Sequence, residues 1–185
     1  SLNVPYVYSL ERLLEKKNEY DVPLYYETDT HWNALGAYTS FEEILEKLQP
    51  MFGNALPKIE YEQNVEYSDT FGDILPMLGI KGERSTQIKM TPKNGQESDY
   101  FEYIKNDGMN GILTTGKDQN LPKAVIFRDS FCIALVKFIS PLFSSTEYNW
   151  RHFGESDKEK LLKNKPDIII FESVERHAEL ILSGE

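Results

Sequence analysis

Two side chains that together can move a proton lie close to each other in the segment YYETDTHWN, residues 25–33. One residue separates Asp29 from His31, so the carboxylate can hold the imidazole in the tautomer that a catalytic base requires. The same pair of residue types can also bind a metal ion or begin a helix. No third ligand of a suitable type lies nearby in the sequence. We therefore predict no metal site here and no cofactor.

A candidate nucleophile lies far along the chain, in VIFRDSF (125–131). Ser130 follows the apolar run KAVIF (123–127) and precedes the helix-like segment FCIALVKFISPLF (131–143). Backbone N–H groups at the start of a helix can stabilise an oxyanion, and we expect those of Ser130 and Phe131 to do so. The alternative is that Ser130 only caps the helix.

Other histidine, aspartate and cysteine residues are less suitable candidates for the same catalytic roles. His152 and His177 are alternative bases, but one lies among strand-like aromatic residues and the other in the last predicted helix, so both rank below His31. Asp129 is typical of a turn or cap. Cys132 is the only cysteine, which excludes an intramolecular disulfide and a cysteine-based metal site.

The predicted elements place the candidate residues at junctions between strands and helices, where short loops often carry function. Asn33 is expected to cap a strong amphipathic helix that Pro50 ends. This helix is predicted over residues 33–50. Before it, we predict a helix over 9–19 with Ser9 as its cap and a strand over 22–26.

The middle and the last third of the chain differ in their sequence patterns. Residues 51–120 alternate in part and contain many Gly and Asn residues, which predicts an antiparallel β-rich insertion. In the last third, apolar strands at 123–127 and 167–171 alternate with helices, a pattern that predicts a parallel α/β sheet. A short strand near 146–150, a helix over 156–164 and a final helix over 172–182 complete the prediction.

Composition is that of a globular protein with a core. The chain has 185 residues, of which 40% are hydrophobic, and we predict one domain over 1–185. The net charge of −10 argues against nucleic acid as a partner, because phosphates would be repelled. No apolar run is long enough for a membrane span.

Three segments carry a family resemblance: TDTHWNALGAY, VIFRDSF and KPDIIIFESVERH. Together they resemble the SGNH-hydrolase-like acetyltransferases, a family that includes the AlgX- and AlgJ-type alginate O-acetylation proteins and the related DHHW proteins. The resemblance implies an SGNH-like parallel sheet flanked by helices. It also implies a triad of Asp29, His31 and Ser130, with the aspartate and histidine ahead of the serine. About twenty residues precede the Asp-x-His segment, so we expect part of the family's sheet to lie outside this chain.

The activity implied by the resemblance is O-acetyl transfer through a serine ester to the hydroxyls of an extracellular or cell-wall polysaccharide. A membrane acyltransferase partner would hand over the acetyl group, and the protein would be extracytoplasmic, in the periplasm or at the cell surface. Two alternatives stay open. An acetylesterase would use the same triad with water as the acceptor, and a scaffold or carbohydrate-binding domain would use none of it.

Further residues near the three motifs are candidates for substrate binding. Arg128 stands where many SGNH proteins have glycine, and it can approach an anionic group or pair with a neighbouring carboxylate. Glu172 follows the last apolar strand, where ligands meet parallel sheets, although it can instead pair with Arg176. Trp32 and Asn33 adjoin the proposed base, but Trp32 can equally be a core residue.

Overall fold

The computed structural model describes residues 4–68, 72–80 and 85–177, and the chain divides into two compact units, one within residues 1–96 and the other within 97–185. The predicted α/β class is confirmed. Within the described residues, no helix is both long and apolar enough to cross a membrane.

In its described residues, the first unit contains three helices and one antiparallel pair of strands. Helix α2 buries Leu35, Phe41 and Leu48. The long strands β1 and β2 pair along their whole length. The elements are α1 (Leu10–Lys16), α2 (Ala34–Met51), β1 (Tyr61–Ser68), α3 (Ile74–Met77) and β2 (Ser85–Pro92).

Helix α2 begins where the sequence predicts. The Asn33 carboxamide oxygen accepts the backbone N–H groups of Leu35 at 2.9 Å and Gly36 at 3.1 Å. Its Nδ2 donates to the Pro23 carbonyl at 2.6 Å, so the cap also ties the helix start to the chain before it. Pro50 lies inside the last turn rather than beyond it, because the helix continues to Met51.

The predicted strand over residues 22–26 is wrong. A single bridge pairs Tyr25 with Trp32. On either side of it, the Tyr26 N–H donates to the His31 carbonyl at 3.2 Å and the Asn33 N–H donates to the Leu24 carbonyl at 3.0 Å. These bonds close residues 24–33 into a tight loop, which is too short to pair as an extended strand.

The second unit is built on a five-stranded sheet in the order β3-β4-β6-β5-β7. Strands β5, β6 and β7 are parallel, as predicted, whereas β3 and β4 are antiparallel and make the sheet mixed. The strands are β3 (Phe101–Asn106), β4 (Ile112–Gly116), β5 (Lys123–Arg128), β6 (Ser145–Trp150) and β7 (Ile168–Phe171). The middle of the sequence is thus antiparallel and β-rich as predicted, with its strands divided between the two units.

Strand β7 is the outer strand on the parallel side of the sheet. It is apolar along its whole length, yet the side chain of Ile169 is 39% exposed and that of Phe171 is 50% exposed. By contrast, the neighbouring strand β5 is buried from Ala124 to Arg128. The sheet therefore has a covered centre and an apolar outer strand.

The segment after β5 is not the continuous α-helix that the sequence predicts. Ile133 N–H donates to the Ser130 carbonyl at 3.2 Å, an i to i+3 bond that closes a tighter turn. β-Branched Ile133 and Val136 disfavour a long helix, and Pro141 cannot donate within one. The segment consists of a 3₁₀ turn (Phe131–Leu135), helix α4 (Val136–Ile139) and a second 3₁₀ turn (Ser140–Leu142).

The remaining elements are short. Helix α5 (Glu155–Asn164) joins β6 to β7 as predicted, and a 3₁₀ turn (Glu175–His177) follows β7. The rest of the predicted final helix lies outside the described residues.

Candidate active site

The first candidate group is the Asp29–His31 pair, at the tip of the closed loop 24–33. The His31 Nδ1 atom lies 2.6 Å from Asp29 Oδ1, and the His31 backbone N–H donates to the same oxygen at 2.9 Å. Both side chains are partly exposed, at 29% for His31 and 24% for Asp29. An Nδ1–H that donates to the carboxylate leaves Nε2 as the basic nitrogen, which is the arrangement of a histidine base with its orienting carboxylate.

Asp73, which is distant in sequence, holds this loop in place through hydrogen bonds to Thr30. Its Oδ1 accepts the Thr30 backbone N–H at 2.8 Å and its Oδ2 accepts the Thr30 hydroxyl at 2.6 Å. The N–H of Ile74 donates to the Thr28 carbonyl at 3.1 Å. The Thr30 hydroxyl lowers the pKa of Asp73, and the Thr30 backbone N–H and nearby His31 act in the same direction. The residue between Asp29 and His31 is therefore anchored by an ionised carboxylate.

Gly72 allows the loop to approach this closely. A Cβ at Gly72 would lie 2.2 Å from the Thr28 carbonyl oxygen and 2.3 Å from the Asp29 Cβ. Both distances are shorter than any real contact of a Cβ, so only glycine fits without a shift of the loop. The backbone beside Gly72 thus fixes the position of the Asp29 side chain.

The same loop brings together three side chains that could bind a metal ion. Asp29, His31 and Asp73 each offer one ligand atom, and these atoms lie within 4.8 Å of one another. A third metal-ligating residue is therefore present, contrary to the expectation from the sequence. However, both Asp73 oxygens and Asp29 Oδ1 already accept hydrogen bonds. That the site holds no metal stays a prediction.

The second candidate group surrounds Ser130, at the carboxyl ends of β5 and β7. Ser130 occupies the cap position of the first 3₁₀ turn, but its side chain makes no capping hydrogen bond. Asp129 does this instead, because its Oδ1 accepts the Phe131 N–H at 2.8 Å. The Phe131 N–H, which we expected to act as a second oxyanion donor, is thus bonded to a carboxylate in this structure.

Glu172 faces Asp129 across the sheet end. The Asp129 backbone N–H donates to Glu172 Oε2 at 3.1 Å. Burial, followed by the charge of the neighbouring Asp129 carboxylate, raises the pKa of Glu172 to about 8. The pairing with Arg176 that the sequence offered is not what the structure shows, since the Arg176 guanidinium lies over the Phe131 ring at 5.8 Å.

Arg128 is buried, with 3% of its surface exposed. Its guanidinium donates to the Gly108 carbonyl at 2.8 Å and the Asp129 carbonyl at 3.1 Å, and it lies 4.6 Å from the centre of the Trp150 ring. Burial lowers the pKa of Arg128. Of the two possibilities left open for Arg128, pairing with a neighbouring side-chain carboxylate is not what the structure shows, because backbone carbonyls and an aromatic face are its partners.

The other candidates have structural surroundings. The Asn33 side chain is 1% exposed and is committed to the start of α2, whereas Trp32 is half-buried. Cys132 is fully buried, and burial raises the pKa of its thiol well above the ordinary value. His177 Nδ1 lies 3.9 Å from Asp129 Oδ2, and His152 is exposed.

The sequence matches the family described as the SGNH hydrolase-like domain of the acetyltransferase AlgX over residues 6–119. This range is more than half of the chain, and it includes Asp29 and His31. The chain belongs to this family. The resemblance stated from the sequence motifs is thereby confirmed. The match ends before Ser130, so the assignment of the serine depends on its own motif.

Solved structures that resemble this AlgX-family chain share its SGNH-like fold at low identity. A DHHW family protein from Eubacterium siraeum has a TM-score of 0.65 and 18% identity, covering 92% of this chain and 64% of that one. Bacillus cereus PatB1 has a TM-score of 0.61 and 16% identity, covering 89% of this chain and 68% of PatB1. PatB1 with a sulfonyl adduct is similar at a TM-score of 0.60 and 17% identity, covering 86% of this chain and 65% of that one. This chain thus spans about two thirds of the length of these proteins. No curated protein sequence matches it.

Proposed function

We propose that this protein is an O-acetyltransferase that moves an acetyl group through a serine ester onto the hydroxyls of an extracellular or cell-wall polysaccharide. Its membership of the AlgX family supports acetyl transfer. The observation that carries the mechanism is the 2.6 Å contact between His31 Nδ1 and Asp29 Oδ1. A histidine oriented in this way is what a serine nucleophile needs for activation.

In the proposed reaction, the Ser130 hydroxyl attacks the carbonyl carbon of an acetyl ester while its proton passes to His31 Nε2. The tetrahedral intermediate collapses, the C–O bond to the donor breaks, and His31 returns the proton to the leaving oxygen. An acceptor hydroxyl then attacks the acetyl-serine with the same proton transfers and releases Ser130. Asp29 stays ionised throughout and offsets the positive charge on the imidazolium.

The surrounding residues take supporting parts in this proposal. The Ser130 backbone N–H is our proposed oxyanion donor, whereas the Phe131 N–H would have to leave Asp129 Oδ1 to join it. Arg128 fixes the backbone around Gly108 rather than binding a charged donor. Trp32 is our proposed platform for a sugar ring, because such rings pack on partly exposed aromatic faces.

The partners and the compartment follow from the resemblance. We propose an acetyl donor supplied by a membrane acyltransferase, a polysaccharide acceptor and an extracytoplasmic location, in the periplasm or at the cell surface. The net charge of −10 supports the expectation that nucleic acid is not a partner. The acceptor is what separates a transferase from an acetylesterase, which would pass the same acetyl group to water.

Intact-mass spectrometry after incubation with p-nitrophenyl acetate tests this proposal. We expect an adduct of about 42 Da on Ser130 in the wild type, none in Ser130→Ala, and a normal adduct in the matched control Ser156→Ala, whose serine is exposed on α5. Since PatB1 has been solved with a sulfonyl adduct, an aryl sulfonyl fluoride provides a second probe of the same serine.

Adding candidate acetyl-acceptor oligosaccharides then distinguishes the two enzymes. Transfer of the acetyl group to the sugar supports the transferase, and its release as acetate alone identifies an esterase. Absence of the adduct with both probes would refute a Ser130 nucleophile. Unchanged sugar binding in Ser130→Ala would then favour a carbohydrate-binding domain.

A further inference from the structure

The Asp129 carboxylate joins the two segments that leave β5 and β7. Its Oδ1 accepts the Phe131 N–H at 2.8 Å, one residue beyond Ser130. Its Oδ2 accepts the Val174 N–H at 2.7 Å. Both carboxylate oxygens therefore accept hydrogen bonds from backbone N–H groups. The geometry of the Ser130 turn depends on where this carboxylate lies.

Glu172 in turn determines where Asp129 lies. The Asp129 N–H donates to Glu172 Oε2 at 3.1 Å, while the Glu172 N–H donates to the Phe127 carbonyl at 2.8 Å. The residue after β7 is thus held to the end of β5, and its side chain reaches along that strand to the residue before Ser130. Side chain and backbone together cross-link the two strand ends.

Two carboxyl groups placed side by side in a largely buried site cannot both carry a charge at low cost. Asp129 accepts two backbone N–H groups, and His177 Nδ1 lies 3.9 Å from its Oδ2. Glu172 accepts one, and burial raises its pKa to about 8. The Arg128 guanidinium acts against that shift, and the buried Cys132 thiol is the other titratable group beside Glu172.

We propose that Glu172, in its protonated form, is a positioning residue for the nucleophile: it holds Asp129, and through Asp129 the turn that carries Ser130. This inference rests on the proposed function, since it concerns the reactivity of Ser130. It replaces the substrate-binding part that the sequence suggested for Glu172. A protonated carboxyl accepts the Asp129 N–H through one oxygen and donates to the Asp129 carboxylate through the other, so a glutamine can take its place.

We expect the rate of Ser130 acetylation to fall at alkaline pH. As Glu172 loses its proton near pH 8, two carboxylates face each other, the Ser130 turn loosens and acetylation slows. Glutamine has no proton to lose. The slowing should therefore be absent in Glu172→Gln, although the proposed base His31 is unchanged.

The test is the rate of Ser130 acetylation by p-nitrophenyl acetate from about pH 6 to about pH 10, with the rate of Ser130→Ala subtracted. Glu172→Gln should stay within about threefold of the wild type at neutral pH and lose the alkaline fall. Glu172→Ala leaves the partly buried Asp129 N–H without its acceptor, and should be slower by about 10- to 100-fold at every pH. The exposed neighbour Glu175→Gln is the matched control and should behave as the wild type does.

An alkaline fall that persists unchanged in Glu172→Gln would overturn the inference, as would full activity in a folded Glu172→Ala variant. Either result leaves the Ser130 adduct of the wild type in place, so the proposed function would stand. Absence of the adduct in the wild type is the different outcome that overturns the proposed function and the positioning of a nucleophile with it.

Discussion

Replacing Glu172 with glutamine should change how the stability of the protein depends on pH, whether or not acetyl transfer is measured. The pKa of Glu172 is about 8 in the folded protein, against an ordinary value of 4.5. Between these two pH values the folded chain keeps a proton that the unfolded chain loses. The stability contributed by this proton is therefore fully present below pH 4.5 and is lost as the pH rises to about 8.

The size of the effect follows from the same two values. At about 1.36 kcal/mol for each pH unit, the loss amounts to about 3–5 kcal/mol in the free energy of unfolding of the wild type. Glutamine preserves the neutral contacts with Asp129 and does not titrate. Relative to the wild type, Glu172→Gln should therefore gain stability steadily as the pH rises and gain no more above about pH 8. Titrating groups that do not interact with Glu172 are common to both proteins and cancel in the difference.

Urea unfolding of both proteins from about pH 5 to about pH 9, followed by far-UV circular dichroism, measures this difference. Glu175→Gln is the control, because it removes an exposed carboxylate from the turn after β7 without touching Asp129. A stability difference that stays constant within about 1 kcal/mol over that range would refute the reasoning, because it would mean that Glu172 is already ionised in the folded protein.

Two further predictions concern the loop that carries the proposed base. Asp29→Asn should leave the fold intact, as judged by circular dichroism. It should lower the rate of serine acetylation by about 10³–10⁴-fold, because an amide cannot hold His31 in the required tautomer. A near-normal rate would show that Asp29 does not orient His31. Gly72→Ala should destabilise the protein by about 1–3 kcal/mol and slow acetylation by about 100-fold, because the new Cβ displaces Thr28 and Asp29. Gly154→Ala is its control, with the nearest atom 3.9 Å away, and equal unfolding midpoints and rates for the two alanine variants would contradict the close approach.

Features that depend on local sequence could be predicted. The sequence identifies Asn33 as the cap of α2, because an asparagine directly before apolar residues at helical spacing is typical of a helix start. Strands β5 and β7 were identified from their apolar runs. The Asp29–His31 contact was also expected, since one residue separates the two side chains.

Features that depend on distant segments could not be predicted. Asp73 anchors Thr30 from a segment with no periodic signal, so nothing in the sequence marked it. Glu172 had two equally reasonable interpretations, and only the pairing of β5 with β7 brings it to the Asp129 N–H. The 3₁₀ turn after Ser130 was predicted as an α-helix, because a run of apolar residues does not distinguish i+3 from i+4 hydrogen bonding.

The exposed apolar side chains of the outer strand β7 have a consequence for concentrated solutions of the protein. An apolar strand at the side of a sheet is a template on which another chain can add. At neutral pH the net charge of −10 keeps molecules apart. This repulsion disappears near the isoelectric point of 4.9, and at 1 M salt it is screened beyond about 3 Å. Buffers well above pH 5 with little salt should therefore keep the protein dispersed, and a lysine in place of Ile169 would extend that range by placing a charge on the strand itself.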